Sequence, residues 1–210
     1  MELNITSYCR IKNKSIFVNG KELSIPKEDV PSYFFADVYK QLEINYPKFH
    51  KMDNLSKLGI IATEAALKEN DFLRRNSLEE TAILLANKAS SLDTDRNYQN
   101  TINNKDQYLP SPAIFVYTLP NIVIGEIAIK HKITGENAFF VCDSFDAQLL
   151  VNQAQISLTQ QGTTAAICGW VDYDNGMADA LIYLVEKASD SIKNINFNPL
   201  NEAILNQFYK

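Results

Sequence analysis

Residues 138–186 read AFFVCDSFDAQLLVNQAQISLTQQGTTAAICGWVDYDNGMADALIYLVE, and this stretch decides the fold. Ala138 to Cys142 is a short apolar run of strand length. Ala147, Leu150, Val151, Ala154 and Leu158 then recur at helical spacing, and Gly162 is a plausible helix stop. Asp143 or Ser144 can cap that helix. Thr164 to Tyr173 and Met177 to Glu186 are two apolar runs separated by Asp174-Asn175-Gly176. Asn-Gly between such runs is a strong hairpin signal, because both turn positions need positive φ. Strand, helix and hairpin in succession predict a mixed α/β sheet.

Moving outward, residues 3–18 mix β-branched and polar types and end at Asn19-Gly20, which predicts an opening strand or short hairpin. Ser32 to Leu42 is read as a short helix. Asp53 is the expected N-cap of a helix carrying Leu55, Leu58, Ile61 or Ala62, and Ala65 on one side. TAILLANKA, within residues 78–89, is read as a buried strand, and residues 90–111 as a polar surface loop. Ile122 to Ile129 is read as a buried helix whose end carries Lys130-His131-Lys132, cations that suit a helix C-terminus. Residues from Pro199 onward are expected to close the chain with a helix.

The chain has 210 residues, 46% of them hydrophobic, and a formal net charge of −5. No segment clusters Lys and Arg with aromatics, so a nucleic-acid partner is not expected. Residues 2–4 lack the basic start of a signal peptide, and no apolar run reaches the roughly 20 residues of a membrane span. A cytoplasmic, single-domain protein over residues 1–210 is the expectation. Cys9, Cys142 and Cys168 form no Cys-x-x-Cys pair, and no metal-ligand spacing or glycine-rich phosphate loop is present. Neither a metal nor a cofactor is expected. His50 and His131 both sit among lysines and are read as solvated surface groups.

Several segments, in order, resemble the N-terminal half of a β-ketoacyl synthase of the thiolase-like superfamily. They are Met52 to Gly59, Pro112 to Leu119 with Pro120-Asn121, Ile127-Ala128-Ile129 with Gly135-Glu136-Asn137, and Gly169-Trp170-Val171-Asp172. The resemblance implies a thiolase-like half: a mixed five-stranded sheet with covering helices and a C-terminal antiparallel hairpin. It also implies a nucleophilic cysteine at the start of a buried helix, where the helix dipole lowers a thiol's pKa. The matching stretch is Val141 to Ala147, and the nucleophile position falls on Ser144 or Phe145, with Cys142 two or three residues too early. Family members draw two histidines from their C-terminal half; His50 and His131 match neither motif.

The reading is therefore a synthase-like chain without the Cys-His-His set. It is expected to act as an accessory or scaffold subunit in fatty-acid, polyketide or aryl-polyene/flexirubin-type biosynthesis. Its implied partners are an acyl carrier protein and a second chain, as a homodimer or a heterodimer with a ketosynthase. The alternative is an acyl transferase or condensing half-site that uses Ser144 or Cys142 with a partner chain's histidine. Against both stand ordinary roles: Ser144 as a helix cap and Cys142, like Cys9 and Cys168, as a buried thiol.

Overall fold

The computed structural model describes residues 2–23, 34–68, 70–188 and 198–210. The chain opens with β1 (Leu3–Lys12), β2 (Ser15–Val18) and β3 (Lys21–Glu22), followed by α1 (Phe34–Gln41), α2 (Asn54–Leu67) and the single turn α3 (Phe72–Arg75). Strand β4 (Thr81–Asn87) leads to α4 (Leu92–Asn100), the single turn α5 (Pro112–Phe115) and α6 (Ile122–His131). Then come β5 (Asn137–Val141), α7 (Ala147–Thr159), β6 (Ala165–Asp174), β7 (Met177–Lys187), β8 (Asn198–Pro199) and α8 (Glu202–Tyr209).

All strands among the described residues join one sheet in the order β3-β2-β1-β7-β6-β4-β5, with β8 paired to β1. The expected five-stranded body is β1-β7-β6-β4-β5; β2, β3 and β8 are short additions on the β1 side. Strands β5, β4 and β6 are parallel, while β7 is antiparallel to both β6 and β1. The β6–β7 hairpin turns through Asn175 and Gly176 at φ 49° and 81°, the two positive values a tight hairpin turn requires.

Strand β4 explains why the sheet stays in the middle. Every residue from Thr81 to Asn87 is buried, and its side chains alternate between two cores. Ile83 and Leu85 join Leu58, Ile61 and Ile127 under α2 and α6, with Val38 of α1 in the same cluster. Ala82, Leu84 and Ala86 join Leu150, Ala154, Leu158 and Leu205 under α7 and α8. Cys9 belongs to the first core and Cys168 to the second, both fully buried as expected.

Three expectations change. Residues 90–111 are not one loop, since they contain α4 and a 3₁₀ turn at Lys105–Gln107. Its polar sequence hides the helix, which tertiary bonds hold in place: Thr94 Oγ1 donates to Asp53 at 2.9 Å, and Asn54 Nδ2 donates to Asp93 at 3.2 Å. The 138–142 run is half-buried rather than buried, because β5 is an edge strand. The opening segment takes the hairpin form of its expectation, β1 turning into β2 where Asn13 has φ 56°. Gly162 lies beyond α7, whose C-cap is Gln160. Of the short helix expected at 32–42, residues 32 and 33 fall outside the described residues.

Asp53 is the N-cap of α2, as expected, and it does more than cap. One carboxylate oxygen accepts from Ser56 N at 2.9 Å while the other accepts from Thr94, tying α2 to α4. Asp53→Ala is expected to lower stability by about 1 to 2 kcal/mol in chemical denaturation, with Asp53→Asn recovering most of it because the amide oxygen still caps.

Candidate active-site elbow

The family-like elbow lies between the end of β5 and the start of α7. Cys142 follows the strand, and its N–H donates to Asn87 O at 2.8 Å, closing the β4–β5 ladder. The N-cap of α7 is neither Asp143 nor Ser144 but Asp146, whose carboxylate accepts from Leu149 N at 2.9 Å. Ser144 is solvent-exposed and precedes the cap by two residues, so it does not stand at the helix N-terminus. The helix dipole therefore does not act on it directly, since that effect is confined to the first turn.

Cys142 is half-buried beside two acids. Burial pushes its thiol up from the ordinary range, and Asp146 and Asp143 push it further, so the site works against a thiolate. Between these two candidates and the helix sits Phe145. Its ring stacks on Tyr209 with centroids 3.8 Å apart and meets Trp170 edge-on at 6.0 Å. Tyr209 is itself clamped, with Arg10 4.4 Å from its ring centroid and its hydroxyl on Asp179. Arg10 also forms an ion pair with Asp179 and donates from Nε to Tyr209 O at 2.8 Å. An aromatic plug thus fills one of the two positions where the resemblance places a nucleophile.

The two histidines lie across the sheet. His131 ends α6 and places Nε2 2.8 Å from Glu64 Oε1 of α2; Lys130 Nζ lies 2.9 Å from the same oxygen. Burial raises the Glu64 carboxyl, but hydrogen bonding and charge from His131 and Lys130 outweigh it and leave the group below its ordinary value. His131 and Lys130 are largely buried, at 10% and 14% side-chain exposure, which corrects the expectation of a solvated His131. His50 packs on Tyr39 at 5.0 Å between ring centroids. Both histidines belong to the α1, α2 and α6 side, whereas Cys142 and Phe145 pack on the α7 and α8 side. Within one chain, neither imidazole can serve Ser144 or Cys142 as a base.

No group of three or more possible metal ligands is present among the described residues. No described helix is long and apolar enough to cross a membrane. A groove of about 690 Å³ runs along β1, lined by Thr6, Ser7, Tyr8, Asn19, Asn70 and Phe208. Phe208 of α8 borders it, next in sequence to the Tyr209 that stacks on Phe145 of the elbow. Sequence reading missed Asp146 and the Phe145–Trp170–Tyr209 cluster; Asp146, three residues before Leu149, did carry an ordinary cap signal.

No protein-family model and no curated protein matches the sequence. Solved structures do match. The ishigamide ketosynthase/chain length factor is 17% identical, with a TM-score of 0.66, over 90% of this chain and 63% of that one. A type II polyketide synthase acyl-carrier protein in complex with its ketosynthase matches at 12% identity and a TM-score of 0.68, over 93% of this chain and 65% of that one. A ketosynthase in complex with its chain length factor from Xenorhabdus doucetiae matches at 16% identity and a TM-score of 0.57, over 90% and 81%. The chain spans less than two thirds of the first two structures it resembles. The mixed sheet with its covering helices is a ketosynthase-type, thiolase-like fold.

Proposed function

We propose that this chain is a non-catalytic accessory subunit that works in the cytoplasm beside an active ketosynthase and an acyl carrier protein. Fatty-acid, polyketide and aryl-polyene/flexirubin-type biosynthesis are the pathways it would serve. One observation carries the reading: the elbow holds a clamped Phe145 next to a thiol whose ionisation is opposed, with both histidines beyond the sheet.

The surface for a second chain is the open side of β5. Glu136 O accepts from Ile83 N at 2.9 Å, and Cys142 N donates to Asn87 O. Backbone groups alternate in direction along a strand, so residues 138 and 140 also face β4, and Asn137, Phe139 and Val141 turn theirs outward. Among the described residues β5 pairs only with β4, and a free edge of this kind is a ready template for another strand. Pairing there supports either a homodimer or a heterodimer with a ketosynthase.

Exposure of Ser144 supports a second reading, in which a partner's histidine activates Ser144 or Cys142 for acyl transfer. Incubation with an acyl thioester, alone and with a ketosynthase, followed by intact mass separates the two. The accessory reading expects no adduct on this chain. An adduct that disappears in Ser144→Ala or Cys142→Ala would establish the half-site instead.

A further inference from the structure

Strand β1 has a gap between its two short outer partners. β8 pairs with Asn4 and Ile5, and β2 pairs with Cys9 through Lys12, so no described strand lies along the outer side of Thr6, Ser7 and Tyr8. The register of β1 against β7 also shifts between Ile5 and Ser7, and Thr6 is the extra residue of this bulge. Amide side chains close the backbone across the gap. Asn70 Nδ2 donates to Thr6 O at 3.2 Å, Tyr8 N donates to Asn19 Oδ1 at 2.9 Å, and Asn19 N donates to Tyr8 O at 3.0 Å. The neighbouring hydroxyls are left out of this bonding. Thr6 and Ser7 are 5% and 2% exposed, and among the described residues neither Thr6 Oγ1 nor Ser7 Oγ has a hydrogen-bond partner. Buried polar groups in folded chains are bonded in the great majority, so two consecutive orphans mark a place where something outside the chain completes the bonding.

Both residues line the groove of about 690 Å³ along β1. That volume lies within the roughly 300–1,000 Å³ of small-molecule sites, where apolar and aromatic walls carry a few buried polar groups that orient the ligand. The apolar wall is present here: Tyr8 and Phe208 line the groove with their rings stacked at 3.7 Å between centroids, and Val18, Leu23 and Leu42 extend it. The charged groups of the lining, Lys21, Glu22 and Lys68, are all exposed and remain in water. No described lining residue buries a charge that would meet a charged ligand.

We propose that this groove binds a small neutral polyhydroxylated ligand, a saccharide or a cyclic polyol, whose hydroxyls bond to Thr6 Oγ1 and Ser7 Oγ and whose carbon face lies against the Tyr8–Phe208 wall. A Ser or Thr hydroxyl both donates and accepts, and its full complement is another hydroxyl. A phosphate or carboxylate only accepts, and it would enter without a buried cation to offset its desolvation. A fatty chain would leave both hydroxyls unpartnered. The inference adds a ligand to the accessory reading and does not rest on it.

The test is a set of separate titrations of the isotope-labelled full chain with maltose, cellobiose, myo-inositol, inorganic phosphate and decanoate. The backbone amide signals of Thr6, Ser7, Tyr8 and Asn19 are followed by NMR. At least one of the neutral probes is expected to shift those signals saturably, while phosphate and decanoate leave them in place. Thr6→Val and Ser7→Ala each remove an unpartnered hydroxyl and keep the backbone bonds. Each is expected to weaken that binding about tenfold, the loss of one hydrogen bond, with the rest of the spectrum unchanged. Absence of any shift with the neutral probes overturns the inference, and so does a saturable shift with phosphate or decanoate alone. Unchanged affinity in both variants overturns it as well, because the hydroxyls would then take no part.

Discussion

Glu186→Ala is expected to lower unfolding stability by about 2 to 4 kcal/mol, because it strips the partner from a guanidinium that is only partly open to water. Glu186, next to last in β7, has a side chain 4% exposed, and that of Arg75 is 18% exposed. Arg75 donates from Nη2 to Oε2 at 2.9 Å and from Nε to Oε1 at 3.2 Å, a two-pronged pair. Asn76 Nδ2 donates to the same carboxylate at 2.7 Å, and Arg75 Nη2 also donates to Asn70 at 3.0 Å. The network fastens the turn after α2 to the hairpin, so its loss leaves several part-buried donors without their acceptor at once. Against a typical total of about 5 to 15 kcal/mol the effect is severe, and a fall in thermal midpoint of roughly 10 °C or more should be visible by calorimetry. Glu186→Gln, which keeps the acceptor oxygen, should cost less. A fall under about 1 kcal/mol for the alanine variant would mean that the network contributes no more than a surface pair.

Gly169→Ala is the second large expectation. A Cβ built at Gly169 would stand 2.2 Å from Leu181 O and 3.0 Å from Ile182 Cα, both backbone atoms of the adjoining strand. A flexible side chain could swing away, but here the hairpin itself must separate. Overpacking costs typically about 1 to 3 kcal/mol and more when the obstacle is rigid, so at least about 3 kcal/mol is expected in guanidinium unfolding. Gly125 supplies the contrast. It lies within α6 with no other atom within 4 Å of where a Cβ would stand, and alanine there should gain roughly 0.5 to 1 kcal/mol from helix propensity.

Features set by neighbours in sequence could be read directly from it. The Asn175-Gly176 hairpin, the Asp53 cap, the α7 stripe and the terminal α8 all follow from local rules, and each is present. The ketosynthase-like order of segments was enough to give the five-stranded body. What stayed hidden depends on distant partners. The helicity of α4 rests on Asp53 and Asn54, which sit on another element. His131 is held by Glu64 from a different helix, so its lysine neighbours misled the reading. At the elbow, Asp143, Ser144 and Asp146 are all cap-forming residue types. The choice of Asp146 depends on where β5 ends and on how Phe145 seats against Trp170 and Tyr209. That β5 is an edge strand is a matter of topology, and no local pattern within Asn137–Val141 encodes it.

The half-buried α7 adds to the case for a second chain. Gln148, Asn152, Gln155, Ile156 and Thr159 form its exposed side, and the whole run from Ala147 to Val171 lacks a charged residue. Depletion of charge is a compositional mark of interface cores. Together with the open β5 edge, it supports the proposed pairing with a second chain.

The most direct test of the accessory-subunit account is native mass spectrometry of the chain co-expressed with an intact ketosynthase from its own host. Val141→Pro, which removes an outward-facing N–H and leaves the β4 ladder whole, should be run alongside with a thermal melt as the folding control. The account predicts a one-to-one complex that dissociates in Val141→Pro while the melt is preserved. Two proteins that stay separate at micromolar concentration, with the wild-type chain folded, would contradict it.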